Sequence, residues 1–279
     1  VELEGYDALS HEKKIEMDRH RVAWNISQFL HGEQGALLVA SQLVSCAPTF
    51  NAKMYAASQT FDEARHVEGF NRYLKEKIGF QYPATKGLKS LMDKILTDER
   101  WDLKFIGMQI IIEGLALAAF NNMKFILNDG LLKQLLHYVI RDEARHVTFG
   151  VNYLEDYLKT LSKSEIEERA EFAFEACLVM RGRLISGEVV AKFLDYTPEE
   201  ADRIAFESDQ GQNFRTLLFT KIVPNLKRIG LLTDNVKEKY EQIGVLSYAV
   251  LEDNFNIDWA EMSKPYETQE EIEKAIRLV

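Results

Sequence analysis

The stretch FDEARHVEGF, residues 61–70, has a near copy in RDEARHVTFG, residues 141–150. Each copy follows a single glutamate that stands in an apolar run, Glu33 in FLHGEQGALLVA and Glu113 in GMQIIIEGLALAAF. Glu33 precedes Glu63 by 30 residues, and Glu113 precedes Glu143 by the same interval. The whole set repeats at an offset of 80 residues. This repetition predicts a duplicated metal site.

The spacing within each copy has a physical reason. Residues three apart lie on one face of a helix. Glu63 and His66 therefore point the same way, and so do Glu143 and His146. A single Glu-x-x-His is usually part of a solvated helix face, and it is the repetition of the full set that favours metal binding here.

Turn signals stand midway between the glutamates of each set. Pro48 is 15 residues from both glutamates of the first set, and Asn128–Gly130 (NDG) begins 15 residues from both glutamates of the second. A helix that climbs 15 residues, turns and descends 15 returns to the same height, about 22 Å from the turn. Two such hairpins packed face to face would bring four carboxylates and two imidazoles together, as in the dinuclear sites of ferritin-like four-helix bundles.

Charge balance also favours metal ions. Glu113 interrupts an otherwise apolar run, where an unpaired buried carboxylate would be costly, and four clustered carboxylates would repel one another. Two divalent cations would neutralise these four charges. Oxygen and imidazole ligands without thiolates suit iron or manganese better than a structural zinc.

At these residues the chain resembles the ferritin-like diiron-carboxylate oxidoreductases. These include the ribonucleotide reductase small subunits, their ligand-binding oxidase relatives, the bacterial multicomponent monooxygenases and the arylamine N-oxygenases. The resemblance covers about residues 20–155, and the flanks GEQGALLV, DEARHVEGFNRYL, IIEG and DEARHVTFGVNYL look most like the ligand-binding oxidases. It implies two iron ions, or one manganese and one iron, held by six ligands: Glu33, Glu63, His66, Glu113, Glu143 and His146.

The same resemblance implies a set of supporting residues. Asp62 and Asp142 would accept hydrogen bonds from the histidines across the bundle, which fixes the imidazole tautomer and raises its basicity. Arg65 and Arg145 would pair with these aspartates; their alternative role is in ordinary salt bridges on the helix surface.

The chain departs from each subfamily at its marker residue. The radical tyrosine of the reductase subunits is replaced by Phe70. The valine and tyrosine that are cross-linked in the ligand-binding oxidases are replaced by Gly35 and Met108, so that cross-link cannot form. The third histidine of the arylamine N-oxygenases is replaced by Val139, and the threonine of the multicomponent monooxygenases by Leu117. The resemblance therefore supports the metal site without selecting a subfamily.

The resemblance implies that the protein oxidises a small organic substrate with dioxygen, through a peroxo or high-valent intermediate, with an electron-donor protein as partner. Apolar residues near the ligands favour an apolar substrate: Ile110, Ile112, Leu117 and Phe70. Gln109 is the neutral polar candidate for orienting it, or else forms a hydrogen bond at the edge of the core. The alternatives are a radical-generating ribonucleotide reductase-like small subunit, a ferroxidase or iron-storage protein, and a metal-free interaction protein.

The chain of 279 residues, 46% of them apolar, can bury a large core. We predict an all-α fold in one ferritin-like domain, residues 1–279, with the metal-bearing bundle at about 20–160 and covering helices at about 164–279. The four bundle helices are predicted at about Val22–Ala47, Ala52–Ile78, Trp101–Leu127 and Leu131–Leu161. Capping boxes predict further helix starts at Ser164–Glu167, Thr197–Glu200 and Thr268–Glu271.

Charge and cysteine content limit which kinds of binding partner and which cellular compartment are expected for the protein. The net charge is −10 with no basic stripe, which argues against nucleic acid. Cys46 and Cys177 form no Cys-x-x-Cys motif and are interpreted as buried, reduced thiols of a cytoplasmic protein. The longest apolar run, about Ile106–Phe120, is too short to span a bilayer. The resemblance implies a homodimer with the first bundle helices at its interface.

Six other residues with possible redox or ligand chemistry are expected to lie outside the ligand set. His11 and His20 stand among charged residues and are expected to be solvated, and His31 and His137 lie on other helix faces than the glutamates. Tyr55 and Tyr73 are interpreted as packed core aromatics rather than as redox centres.

Overall fold

The computed structural model describes residues 3–181 and 185–267. Within these residues the regular secondary structure is helical and contains no strand, so the all-α class is confirmed. The predicted ligands lie in the first half, which consists of α1 (His11–Cys46), α2 (Phe50–Tyr73), α3 (Lys86–Thr97), α4 (Trp101–Phe105), α5 (Glu113–Ile126) and α6 (Gly130–Leu158). A π-helical segment, Ile106–Ile112, joins α4 to α5 in one continuous central helix, Trp101–Ile126.

The first hairpin turns where the sequence predicts. α1 ends at Cys46, just before Pro48, and α2 begins after Thr49, whose hydroxyl accepts a hydrogen bond from the Ala52 N–H at 3.2 Å. At its other end α1 extends further than predicted. Ser10 caps it by accepting from the Lys13 N–H, so the charged segment before Val22 belongs to the same helix.

The second hairpin is built in the same way from the central helix and α6. Asp129, in the predicted turn, caps α6 by accepting a hydrogen bond from the Leu132 N–H at 2.8 Å. Among the described residues, the central helix is the one helix long and apolar enough to cross a membrane by length and composition. It is, however, 94% buried over its most apolar window, as the core helix of a folded domain would be.

The connection between the hairpins is fixed to α1. It begins at Gly79, whose φ of +88° is a left-handed conformation that favours glycine. The Gln28 side chain on α1 donates to the Pro83 carbonyl and accepts from the Thr85 N–H, both at 2.9 Å. α3 then packs its buried face against α1 and α7, through Leu88, Leu91, Met92 and Ile95. The predicted crossover with a short helix is therefore present.

The second half adds α7 (Lys163–Arg181), α8 (Gly187–Phe193), α9 (Pro198–Glu207), α10 (Asp209–Leu218), α11 (Val223–Arg228), α12 (Asp234–Gln242) and α13 (Trp259–Met262). α7 and α10 pack on the central helix and α11 packs on α6, so the main apolar core runs through both halves. A buried ion pair between Arg169 and Asp102, at 2.9 Å, joins α7 to the central helix. That the chain is one domain remains a prediction.

Three local predictions have different outcomes. The capping box of Thr197 and Glu200 is confirmed. The one predicted at Ser164 is wrong in register, because Ser162 and Glu165 exchange the two reciprocal hydrogen bonds instead. The sequence SKSEIEE contains Ser-x-x-Glu in both registers, and the helix begins at the earlier one. The terminal helix predicted at Thr268 lies outside the described residues.

The prediction for His20 is also wrong. Its imidazole is buried and lies 4.4 Å from the Phe80 ring between centroids. Its Nδ1 forms a hydrogen bond with the Tyr82 hydroxyl at 2.7 Å. The charged neighbours in HEKKIEMDRHR occupy other faces of α1, so His20 can turn towards the connection while they remain in solvent. His11 is exposed, as expected. Of the two thiols predicted to be buried, Cys177 is buried, but Cys46 is exposed because it lies at the end of α1.

Candidate metal centre

The six predicted ligands meet at one buried place between four helical segments. α1 supplies Glu33, α2 supplies Glu63 and His66, and α6 supplies Glu143 and His146. The last ligand, Glu113, comes from the central helix, and all six side chains are at most 5% exposed. The 30-residue interval thus places each lone glutamate beside the Glu-x-x-His of its hairpin partner.

The six residues form two overlapping groups of possible ligands. One group consists of Glu33, Glu63, His66 and Glu143, and the other of Glu63, Glu113, Glu143 and His146. Within each group, one ligand atom per residue lies within 4.8 Å of all the others. Because Glu63 and Glu143 belong to both groups, each could contribute to either of two metal positions.

Each histidine turns its Nδ1 towards the carboxylates. His66 Nδ1 lies 3.1 Å from Glu143 Oε1, 3.2 Å from Glu33 Oε2 and 3.3 Å from Glu63 Oε2. His146 Nδ1 lies 3.2 Å from Glu63 Oε1 and 3.5 Å from Glu143 Oε2, but the angles there do not make a hydrogen bond. The two rings are 6.2 Å apart between centroids, so each is available to a separate ion.

The opposite edge of each imidazole is held by an aspartate of the other hairpin. Asp142 Oδ2 lies 3.2 Å from His66 Nε2, and Asp62 Oδ2 lies 3.3 Å from His146 Nε2. A carboxylate at Nε2 selects the tautomer with the proton there, which leaves the Nδ1 lone pair for a metal. This is the crosswise arrangement that the resemblance implies.

Two arginines tie the aspartates together. Arg65 donates to Asp62 and to Asp142, the latter at 2.9 Å. Arg145 donates to Asp142 at 2.7 Å and to Asp62 at 3.2 Å. Hydrogen bonds from His146 and Arg65 hold the pKa of Asp62 well below its usual range, although burial alone would raise it. Both aspartates therefore stay ionised as partners of the histidines.

Gln59 is a site residue that sequence reasoning missed. Its amide donates to Glu113 Oε1 at 2.7 Å and to Glu63 Oε1 at 3.1 Å, and its oxygen accepts from Gln109 at 3.1 Å. Gln59 precedes Glu63 by four residues and so shares its helix face, a signal that could have identified it. Of the two roles weighed for Gln109, the hydrogen bond within the core is the one observed.

The backbone next to Glu113 is unusual. Its N–H donates to the Met108 carbonyl five residues back, which closes the π-helical segment. Short π-helical insertions often occur at functional sites. The widened turn packs against α6 at Gly150. A Cβ atom on residue 150 would lie only 2.5 Å from the Cβ of Gln109, so this close approach requires glycine.

Electrostatics show how the cluster responds when no cation is bound. Burial and the charge of Glu143 raise the pKa values of both Glu33 and Glu113 well above the usual range. Burial would also raise that of Glu63, but the neighbouring imidazoles outweigh it and lower the pKa. For His66, burial opposes the charged form, yet its hydrogen bonds to Asp142 and Glu33, together with the nearby carboxylates of Glu63 and Glu143, raise the pKa well above normal. The shifts of Glu33, Glu113 and His66 thus all favour the protonated form of these groups.

Several buried atoms of the cluster have no hydrogen-bond partner within the described residues: Glu63 Oε2, Glu113 Oε2, both carboxylate oxygens of Glu143, and His146 Nδ1. Native proteins rarely leave such atoms unsatisfied, and here all five are of types that bind metal ions. Oxygen and imidazole donors without sulfur match iron or manganese. The residues present therefore fit a pair of such ions.

The remaining candidates lie off the cluster. His31 bonds to the Tyr82 carbonyl and His137 to Lys124 and the Lys264 carbonyl. Tyr73 donates to Asp129, and Tyr55 stacks on Phe149 with 3.7 Å between ring centroids.

An aromatic group covers one side of the cluster. Phe29, Phe70 and Phe120 are all buried, and the Phe29 and Phe120 rings meet edge to face at 4.6 Å. Beside them a void of about 20 Å³ reaches Glu33, Glu113 and Glu143. It has room for about one water-sized molecule.

Fold and site together define an all-α protein with a buried glutamate–histidine cluster that could hold metal ions. Comparison with protein-family models finds no match to this chain, and comparison with curated proteins finds none either. The function must therefore be inferred from the geometry of the site.

Proposed function

We propose that the cluster binds two iron ions, or one manganese and one iron, and that the protein is a ferritin-like, dioxygen-dependent oxidase or oxygenase of a small organic substrate. The observation that carries this proposal is the set of unpaired metal-binding atoms converging in a buried place. A purely structural core would place apolar or mutually hydrogen-bonded groups there, at lower cost in free energy.

The protein residues would divide the work as follows. Glu33 and His66 would hold one ion, Glu113 and His146 the other, and the two shared glutamates would bridge them. When bound, two ferrous ions would supply two electrons towards the reduction of dioxygen. Gln59 would hold Glu113 in place through its amide.

The surroundings of the cluster support an apolar reaction space. Phe29, Phe120 and Ile112 line the void next to the carboxylates, and these side chains exclude water from the reacting centre. The void suits a molecule the size of dioxygen. An organic substrate would have to approach from a larger space behind the aromatic group.

Partners are part of the proposal. Phe50, Met54 and Phe61 form an apolar stripe on one face of α2, at 75%, 59% and 67% exposure, which fits a homodimer through the first hairpin. An electron-donor protein would be needed for repeated turnover. Because both cysteines are free, we place the protein in the reducing cytoplasm.

The experiment that tests the function is anaerobic loading with ferrous iron followed by exposure to dioxygen. We expect two metal ions per chain, a transient visible absorption on oxygen exposure, and oxidation that continues when an electron donor is supplied. Uptake far beyond two ions per chain would indicate iron storage instead. Absence of any metal uptake would refute the redox function.

A further inference from the structure

A large cavity lies behind the aromatic group that covers the cluster. Its volume of about 820 Å³ is within the range of small-molecule sites, and its walls include α1, the end of the central helix, α9 and α10. The described residues lining it include three arginines and no aspartate or glutamate. In a chain with a net charge of −10, such a wall is suited to an anion.

Arg215 is the most informative of these residues. It is only 3% exposed, its guanidinium carbon lies 3.7 Å from the centre of the Phe206 ring, and its Nη2 donates to the Phe206 carbonyl at 2.6 Å. Its Nε and Nη1 are buried and have no hydrogen-bond partner among the described residues. Arginine remains protonated in proteins, so a buried guanidinium with unused N–H groups calls for an anionic partner.

Arg181 adds a second positive charge to the same wall. Burial and the charge of Arg181 both lower the pKa of Arg215, and the Nε of Arg181 is also buried with no partner in the part of the chain that the structure describes. The third arginine, Arg21, is already paired with Asp18 at 3.3 Å. The unbalanced charge is therefore concentrated at Arg181 and Arg215.

Towards the metal centre the cavity becomes apolar. Phe29, Met123, Ile126 and Phe214 are among its lining residues. Phe29 also lines the small void that reaches Glu33, so one phenyl ring stands between the cavity and the cluster. A ligand with its anionic group at the arginines would direct its apolar body towards Phe29.

We infer that this cavity binds a small organic anion, with a carboxylate or similar group held by Arg215 and Arg181 and an apolar body directed towards Phe29. The site does not depend on metal. Its assignment as the substrate site rests on the proposed function. With that function, the substrates are apolar molecules that carry an anionic group.

Binding is tested first on the metal-free protein, by calorimetry with 4-phenylbutanoate, 4-phenylbutyl phosphate and 4-phenylbutan-1-ol. We expect the carboxylate to bind about 10- to 100-fold more tightly than the alcohol, since charge-assisted hydrogen bonds contribute that much. Tighter binding of the phosphate than of the carboxylate would assign the site to phosphate esters within the same anionic class. Equal binding of the carboxylate and the alcohol would overturn the anion site.

Arg215→Gln should reduce carboxylate binding to the level of the alcohol. Arg181→Gln, at a less buried position, should weaken it in the same direction and covers the case in which Arg215→Gln fails to fold. The matched control is Arg72→Gln, because Arg72 is an exposed arginine of α2 that pairs with Glu76 away from the cavity. Unchanged carboxylate binding in a folded Arg215→Gln variant would overturn the inference.

The orientation is tested separately with 4-(4-fluorophenyl)butanoate and ¹⁹F NMR. If the apolar end approaches Phe29, the fluorine signal of bound ligand should broaden in protein loaded with paramagnetic Co²⁺, compared with Zn²⁺. Binding without such broadening in a Co²⁺-loaded protein would overturn the substrate assignment and leave the anion site. Failure to load Co²⁺ would instead count against the metal centre.

Discussion

Replacing Glu113 by glutamine tests whether the cluster is a metal site or a structural core. The glutamine keeps the side-chain length and an oxygen that can accept the hydrogen bond which Gln59 now donates at 2.7 Å. It loses the charge that would bind a cation. Burial and the charge of Glu143 raise the pKa of Glu113 well above normal, so without metal the neutral carboxyl, which glutamine resembles, is favoured at this position. The variant should therefore fold and be about as stable as the wild type without metal.

The two proteins should differ once metal is added. A ligand present at 100 times its dissociation constant stabilises the folded state by about 2.7 kcal/mol. For a chain of this size that raises the melting temperature by about 5–10 °C. If loss of Glu113 weakens binding about 100-fold, the same metal concentration gives about 0.4 kcal/mol, or a rise of about 1 °C.

The pH dependence gives a second readout on the same pair of proteins. A carboxyl whose pKa is raised on folding makes the folded state hold more protons than the unfolded state, so its stabilising contribution is present at low pH and is lost as pH rises. For Glu113 that loss begins above its ordinary pKa of 4.5, at up to about 1.4 kcal/mol per pH unit. The metal-free variant should lack this part of the decline.

The assay is anaerobic scanning calorimetry of both proteins with and without Fe²⁺, Mn²⁺ or Co²⁺, across pH 5 to 8. Glu68→Gln is the matched control, because Glu68 is exposed on α2 two residues beyond His66. An equal metal-induced rise in the wild type and in Glu113→Gln would refute the ligand role of Glu113. No rise in the wild type with any of these metals would refute the metal centre.

Three further predictions concern other parts of the molecule. Asp142→Asn removes the charge opposite His66 Nε2 and should weaken metal binding about 10- to 100-fold in a chelator competition; an unchanged affinity would contradict its orienting role. Native protein should show one fast-reacting thiol, the exposed Cys46, since burial raises the pKa of Cys177 to about 12; two fast thiols before denaturation would contradict the packing around Cys177. Phe61→Asp should shift sedimentation from dimer to monomer, and a wild type that sediments as a monomer would refute the dimer.

The ligand positions could be predicted from sequence because helix geometry is regular. The 30-residue intervals and the turn at Pro48 determine which residues lie level with one another, and the structure places Glu33 beside His66 accordingly. The ends of the hairpin helices could be predicted from the turn signals at Pro48 and Asn128–Gly130, where Thr49 and Asp129 cap α2 and α6.

What the sequence did not reveal depends on packing between distant segments. The π-helical segment before Glu113 lies in a run of isoleucines, which suits a π turn as well as an α turn. Gln59 lies on the ligand face, but a polar residue at that position could equally face solvent. The cavity at Arg215 is enclosed by helices from both ends of the chain, so no local pattern indicates it.

The crosswise hydrogen bonds have a consequence for how this protein could be divided. Each imidazole is oriented by an aspartate of the other hairpin, and Arg65 and Arg145 span both. Neither hairpin alone therefore contains a complete half-site. A single hairpin could meet these requirements by pairing with a second copy of itself, because the residues of the two half-sites repeat at an offset of 80.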